Sequence, residues 1–149
     1  MATLPGTYIP STSAWVRDQV ELYERTGGKE GNTLLDTGMP VIIVTMRGAK
    51  SGNVRKIALM RVEHNGVYAL VASRGGSPTN PDWYQNLLAH PNEVLVQDGP
   101  EALPYTVRDI SGDEYNEWWQ RSAEAFPQYN TYKEKTDRII PILLAEQVK

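Results

Sequence analysis

The chain has 149 residues, of which 15 are basic and 18 acidic, a formal net charge of −3 and no cysteine. Chains of roughly 100–200 residues usually fold as one compact unit, so a single domain over residues 1–149 is expected, with residues 1–28 a loosely attached arm and helix. The missing cysteine excludes a disulfide scaffold, a thiolate metal site, a cysteine nucleophile and a redox dithiol.

A composition of 40% hydrophobic and 22% charged residues is that of an ordinary globular protein. Its longest apolar runs, such as residues 41–44, fall far short of the roughly 20 residues of a membrane-spanning helix. With no secretory-type opening either, a soluble cytoplasmic protein is expected.

In chain order, Pro5, Gly6 and Pro10 make the opening an extended arm. Ser11 and Ser13 can cap a helix over residues 14–26, on which Trp15, Val16, Val20 and Tyr23 fall near one face and which Gly27 and Gly28 stop. The β-branched run at 41–46 is too short for a typical helix and reads as a buried strand. A glycine-containing turn at 47–53 leads to a strand at 56–62, and Asn65-Gly66 signals a hairpin into a further strand at 66–73. The first half therefore reads as an antiparallel meander.

After a Gly/Pro-rich loop, Pro81 opens a helix to residue 89 with Trp83, Leu87 and Leu88 as its apolar face. Strands at 93–97 and 103–108 follow, then a helix to residue 125 announced by the capping box Ser111 and Glu114. A short helix at 130–138 and a last strand at 139–144 complete the chain. Short strands with hairpin connections and no βαβ alternation predict an α+β protein on a closed or half-closed antiparallel barrel, with peripheral helices.

The charges are segregated. No acidic residue lies between Asp36 and Glu63, yet that stretch holds Arg47, Lys50, Arg55, Lys56 and Arg61. A basic segment in a chain of isoelectric point about 5.4 points to a local anionic ligand, whereas a nucleic-acid binder usually shows a broad basic surface, so no nucleic-acid partner is expected.

Arg47-Gly48-Ala49-Lys50-Ser51-Gly52 is not a phosphate-binding P-loop, because its spacing differs and strands flank it. It reads either as a solvated hairpin turn or as an anion cradle in which backbone N–H groups are joined by Lys50, Ser51 and Arg55. Ala72-Ser73-Arg74-Gly75-Gly76 is either a plain strand end or a strip of exposed backbone for a flat ligand. Trp83 suits core packing or a pocket wall, and Tyr129 and Tyr132, three apart, suit a pocket mouth. His64 and His90 lack partners at ligand spacing, so no metal site is expected.

Five motifs stand in one order: Gly38-x-Pro40, the basic turn through Arg55, Leu70 to Gly76, Pro81-x-Trp83-Tyr84-x-Asn86-Leu87, and Tyr132-x-x-x-Thr136-x-Arg138-x-Ile140-Pro141. Together, over residues 35–146, they resemble the deazaflavin-dependent nitroreductase family, whose members use reduced coenzyme F420. The resemblance implies a split β-barrel related to FMN-binding oxidoreductases. It also implies hydride transfer from reduced F420 to a small acceptor, a quinone foremost and a nitroaromatic second.

By the same resemblance Lys50, Ser51 and Arg55 hold the cofactor's phosphate and acidic tail, and Arg47 and Met60 count among the cofactor-binding residues. Ala72, Ser73, Arg74, Gly75 and Gly76 would lie along the deazaflavin ring, with Trp83 and Asn86 bordering it. Tyr129 and Tyr132 would enclose the acceptor, and Ser73 or one of these tyrosines would supply a proton. The N-terminal helix resembles the family's variable amphipathic segment, which can lean on a membrane, and a homodimer across an exposed sheet is compatible with the fold. Two alternatives stay open: an FMN-dependent oxidoreductase on the same barrel, and a cofactor-binding protein without catalysis.

Overall fold

A computed structural model describes residues 2–34 and 37–148. Leu35 and Asp36, where the resemblance begins and the acid-free stretch is bounded, lie outside the described residues.

Helix α1, Ala14–Thr26, ends where Gly27 turns left-handed at φ 63°, a conformation that favours glycine. Val20 and Tyr23 are its buried residues, while Trp15 is 52% exposed, so the apolar face is narrower than expected. Strands β1 (Val41–Arg47) and β2 (Val54–Met60) form one hairpin, and β3 (Glu63–His64) and β4 (Val67–Val71) another. In the second, Asn65 and Gly66 both take positive φ, the turn that matches strand twist.

Helix α2 (Asp82–Ala89) precedes β5 (Val94–Gln97) and β6 (Ala102–Asp109); α3 (Gly112–Ala125) and α4 (Gln128–Glu134) precede β7 (Ile142–Gln147).

All seven strands join one antiparallel sheet in the order β2-β1-β5-β6-β7-β4-β3, curled into a half-barrel that brings β2 back against β4. The expected split barrel with peripheral helices is the architecture observed. The expected meander is not: β2 and β3, consecutive in sequence, lie at opposite edges, because β5 takes the free side of β1 and β7 that of β4.

Alternation along the strands builds two cores. Ile42, Val44, Met46, Leu70 and Leu143 pack on one face with Tyr84 and Leu87 of α2; Val41, Ile43, Val71, Ile142 and Leu144 pack on the other with Trp118, Trp119, Phe126 and Tyr129. Because both faces are buried, β1 reads as an uninterrupted apolar run.

Three local expectations change. On α2, Leu87 is buried and Trp83 packs beside it as expected, but Tyr84 joins that face and Leu88, 41% exposed, leaves it. The Ser111 side chain makes no cap bond, and the Glu114 carboxylate that would complete the capping box is held instead by the Arg108 guanidinium at 2.7 and 2.8 Å. Helix α4 ends at Glu134 and β7 begins only at Ile142, since Arg138 bonds the loop after β4 and Pro141 has no N–H for a ladder.

The N-terminal arm runs along the open edge of β2, with Val54 N–H donating to Thr7 O at 2.8 Å and Ile9 N–H to Val54 O at 2.9 Å. It thereby covers unpaired backbone of an edge strand.

Candidate functional site

The five cations of the acid-free stretch do not remain equivalent after folding. Arg47 Nε donates to Glu93 Oε1 at 3.0 Å, Nη1 to Gly52 O at 2.8 Å and Nη2 to Pro5 O at 2.9 Å, so its guanidinium is consumed in tying turn, arm and neighbouring loop together. Lys56 Nζ meets Glu24 Oε2 of α1 at 2.6 Å, and Arg61 Nε meets Asp98 Oδ2 at 2.8 Å. Acids from distant segments thus neutralise three of the five. Lys50 and Arg55 have no carboxylate partner among the described residues, and both line one cavity of about 530 Å³.

That cavity lies between the β1–β2 turn, the edge of β2, the start of α2 and the end of the arm. Lys50, Arg55, Gly48 and Ala49 form its basic end, and Met46, Ile57 and Trp83 supply apolar wall. Asn86 sets the turn: its Oδ1 accepts from Ala49 N–H at 2.9 Å, while Gly52 N–H donates to Gly48 O at 3.0 Å and Gly48 N–H to Asn53 O at 2.7 Å. A Cβ at Gly48 would lie 2.7 Å from Ser51 Oγ, so a larger residue there would turn that hydroxyl away from the Asn53 N–H it accepts from.

The amides of Lys50 and Ser51 have no acceptor among the described residues, so the turn offers free donors beside the Lys50 and Arg55 cations, where an anion can bind. A cavity with apolar side chains on one wall and cations at one end fits a cofactor that joins an aromatic ring to an acidic tail.

Of the predicted site residues, the structure brings Lys50, Arg55, Trp83 and Asn86 to this cavity. Arg47 and Ser51 support the turn from behind, Ser51 Oγ accepting from Asn53 N–H at 3.1 Å. Met60 points to the opposite core, among Val62, Val71 and Trp118, whereas Ile57 and Leu59 face the cavity-side core. Ala72 is wholly buried in the cluster that holds Met46 and Trp83, and it leads directly into the turn of Ser73 to Gly76. There Ser73 is 8% exposed, and its hydroxyl has no hydrogen-bond partner among the described residues.

Arg74 is exposed, with Nη1 on Thr79 Oγ1 at 2.7 Å, and a Cβ on Gly75 would meet open space. Gly76 instead abuts α4, where a Cβ would lie 2.9 Å from Tyr132 O. Tyr129 is 4% exposed and locked among Trp119, Phe126 and Tyr132, with burial pushing its phenol well above the ordinary range. Tyr132 is half-buried, its hydroxyl on Gln128 Oε1 at 3.0 Å.

Ser11, Thr12, Met46, Ile57, Asp82 and Gln85 also line the cavity and were not anticipated. Met46 and Ile57 carry a signal in strand alternation; Ser11 and Thr12 arrive only because the arm pairs with β2. Among the described residues no group of histidine and acidic side chains is placed to hold a metal ion, and no helix is long and apolar enough to cross a membrane.

Residues 15–147 match the family described as F420H(2)-dependent quinone reductase. The chain belongs to this family. It is 30% identical over 126 residues to an F420H(2)-dependent quinone reductase of Mycobacterium tuberculosis, covering 83% of each chain. A solved F420-H2 dependent reductase, FDR-A, is 50% identical with a TM-score of 0.68, over 72% of this chain and 94% of that one. Another solved neighbour, described as a domain-swapped dimer, is 47% identical with a TM-score of 0.70, over 91% and 100%. The heme-storage protein HutZ of Vibrio cholerae, at 12% identity and a TM-score of 0.53, shares the fold alone.

Proposed function

We propose that this reductase-family protein passes a hydride from reduced coenzyme F420 to a quinone, using the cavity between the basic turn and α2. The observation that carries this assignment is the pair of cations, Lys50 and Arg55, left unneutralised at one end of a cavity whose other wall is Met46, Ile57 and Trp83. Lys50, Arg55 and the free turn amides would hold the phosphate and carboxylates of the tail. The apolar wall would take the deazaflavin ring, which supplies the hydride when bound.

The chain's own work is binding, orientation and exclusion of water. Asn86 keeps the turn amides aimed at the cavity through Ala49, and Trp83 shields the ring from solvent. Ser73, with an unspent hydroxyl at the end of the strip that follows Ala72, is the proton donor in this assignment. A homodimer belongs to the same proposal, supported by the neighbour described as a domain-swapped dimer and read by light scattering.

The test is a fluorescence titration with F420 beside FMN, followed by loss of reduced F420 absorbance on adding menadione. Selective F420 binding with quinone-dependent oxidation is expected. Binding of FMN alone would move the activity to flavin chemistry, and F420 binding without oxidation by any quinone would reduce the protein to a cofactor carrier.

A further inference from the structure

The turn that follows β4 is built from conformations that chains avoid. Arg74 (φ 45°), Gly75 (φ 62°) and Gly76 (φ 83°) lie consecutively in the left-handed region, and Arg74 pays the steric cost of a side chain there. Such a run persists only where its surroundings over-determine it.

Arg138 supplies that determination. Its Nη2 donates to Ser73 O, its Nε to Ser77 O and its Nη1 to Asn80 Oδ1, each at 2.8 Å. One guanidinium thus grips the loop at its first residue, just past the three left-handed residues, and again before α2. Gly76, pressed on the Tyr132 carbonyl, completes the clamp from α4.

The three bonds go to two carbonyls and an amide. Arg138 forms no ion pair among the described residues, and burial together with the nearby Arg74 guanidinium lowers its proton affinity. Arg138 is only partly buried, and its guanidinium is spent on neutral acceptors rather than on the carboxylate that would be its ordinary partner. The rigid planar fork of arginine, which lysine cannot reproduce, is what the three separate acceptors demand.

We propose that Arg138 is a positioning residue for the reductase reaction, holding the Ser73–Gly76 turn in its left-handed shape directly after Ala72, which packs in the cluster of the cavity-wall residues Met46 and Trp83. The inference rests on the F420 assignment for its functional half; its structural half stands without cofactor, because the Arg74–Gly75 bond is an exposed trypsin site inside the clamped turn.

The experiment compares wild type with R138A, R138K and N80A. Each is digested with trypsin without cofactor, cleavage at Arg74–Gly75 being counted by mass spectrometry relative to cleavage at Arg25. Each is then titrated with F420 and assayed with menadione at saturating reduced F420.

In R138A and R138K, cleavage is expected to rise about tenfold and kcat to fall about tenfold, with N80A, which removes one of three bonds, between them and wild type. A plain loss of stability would speed cleavage at both sites alike and would leave the kcat of the folded fraction unchanged. If R138A does not fold, R138K and N80A decide. Folded R138K and N80A with wild-type cleavage and kcat would overturn the proposal. Wild type that fails to bind F420 would overturn the cofactor assignment instead, while selective cleavage in the variants would still uphold the clamp.

Discussion

Replacing Lys50 and Arg55 together with alanine tests the cofactor site at its strongest point. Lys50 is exposed, so its contact with an anion is screened and contributes about 0.5–1 kcal/mol. Arg55 is half-buried and can bind two oxygens at once, for about 1–2 kcal/mol. Neither side chain pairs with an acid among the described residues, so the whole loss should appear in ligand binding and little in folding. The sum of about 1.5–3 kcal/mol predicts a Kd for F420 raised about 10- to 150-fold.

The assay is fluorescence titration at two salt concentrations. Wild-type affinity should fall as salt rises, and the double variant should have a flatter dependence as well as a weaker Kd. K56A provides the contrast: Lys56 lines the same cavity, but Glu24 already matches its charge at 2.6 Å, and a change below about threefold is expected. A folded double variant with wild-type affinity and salt dependence would refute the assignment of the tail to this turn.

Asn86→Ala leaves the Ala49 amide without its acceptor; F420 affinity should fall about fivefold by titration, and thermal stability should drop by about 1 kcal/mol. Tyr84→Phe removes the hydroxyl that donates to Asp109 Oδ2 at 2.7 Å, which should cost about 1–2 kcal/mol in denaturant unfolding at neutral pH. Burial, then the bond to Asp109, pushes the Tyr84 phenol up to about 12 from 10.0. A raised folded value means that its stability contribution is complete below pH 10 and is lost between about pH 10 and 12. The wild-type minus Y84F stability difference should vanish over that window. Deleting residues 2–10 removes the Thr7 and Ile9 bonds to Val54 and frees Ser11 and Thr12 at the cavity wall, so both melting temperature and F420 affinity should fall.

What was legible in the sequence follows the range of the interactions involved. Helix α1 and the Asn65-Gly66 turn were read closely because Gly27 and Asn65-Gly66 act within a few residues, but the turn joins β4 to the short β3 and not to the strand expected at 56–62. The position of β2 was not, because its separation from β3 depends on β5 pairing with β1 some fifty residues away. The site shows the same division. The basic turn was visible as a cluster of charge, but only folding shows that Glu93, Glu24 and Asp98 claim Arg47, Lys56 and Arg61. A count of charges along the chain could not separate a buttress such as Arg47 from an open cation such as Arg55.

Strand β2 explains why residues grouped by motif part company in space. Ile57 and Leu59 pack on the core that reaches the cavity, and Ala58 and Met60 on the core beneath α3 and α4. Met60 and Tyr129 therefore share one cluster, separated from Lys50 and Arg55 by the thickness of the sheet. Any influence of Met60 or Tyr129 on an acceptor must pass through the elements they support, chiefly α4, whose Tyr132 carbonyl carries Gly76 and with it the turn of Ser73. The turn of Ser73 is thus held from the second core, and the basic turn from the arm and α2. Substitutions in the aromatic cluster should accordingly change turnover more than cofactor affinity, the reverse of the expectation for Lys50 and Arg55.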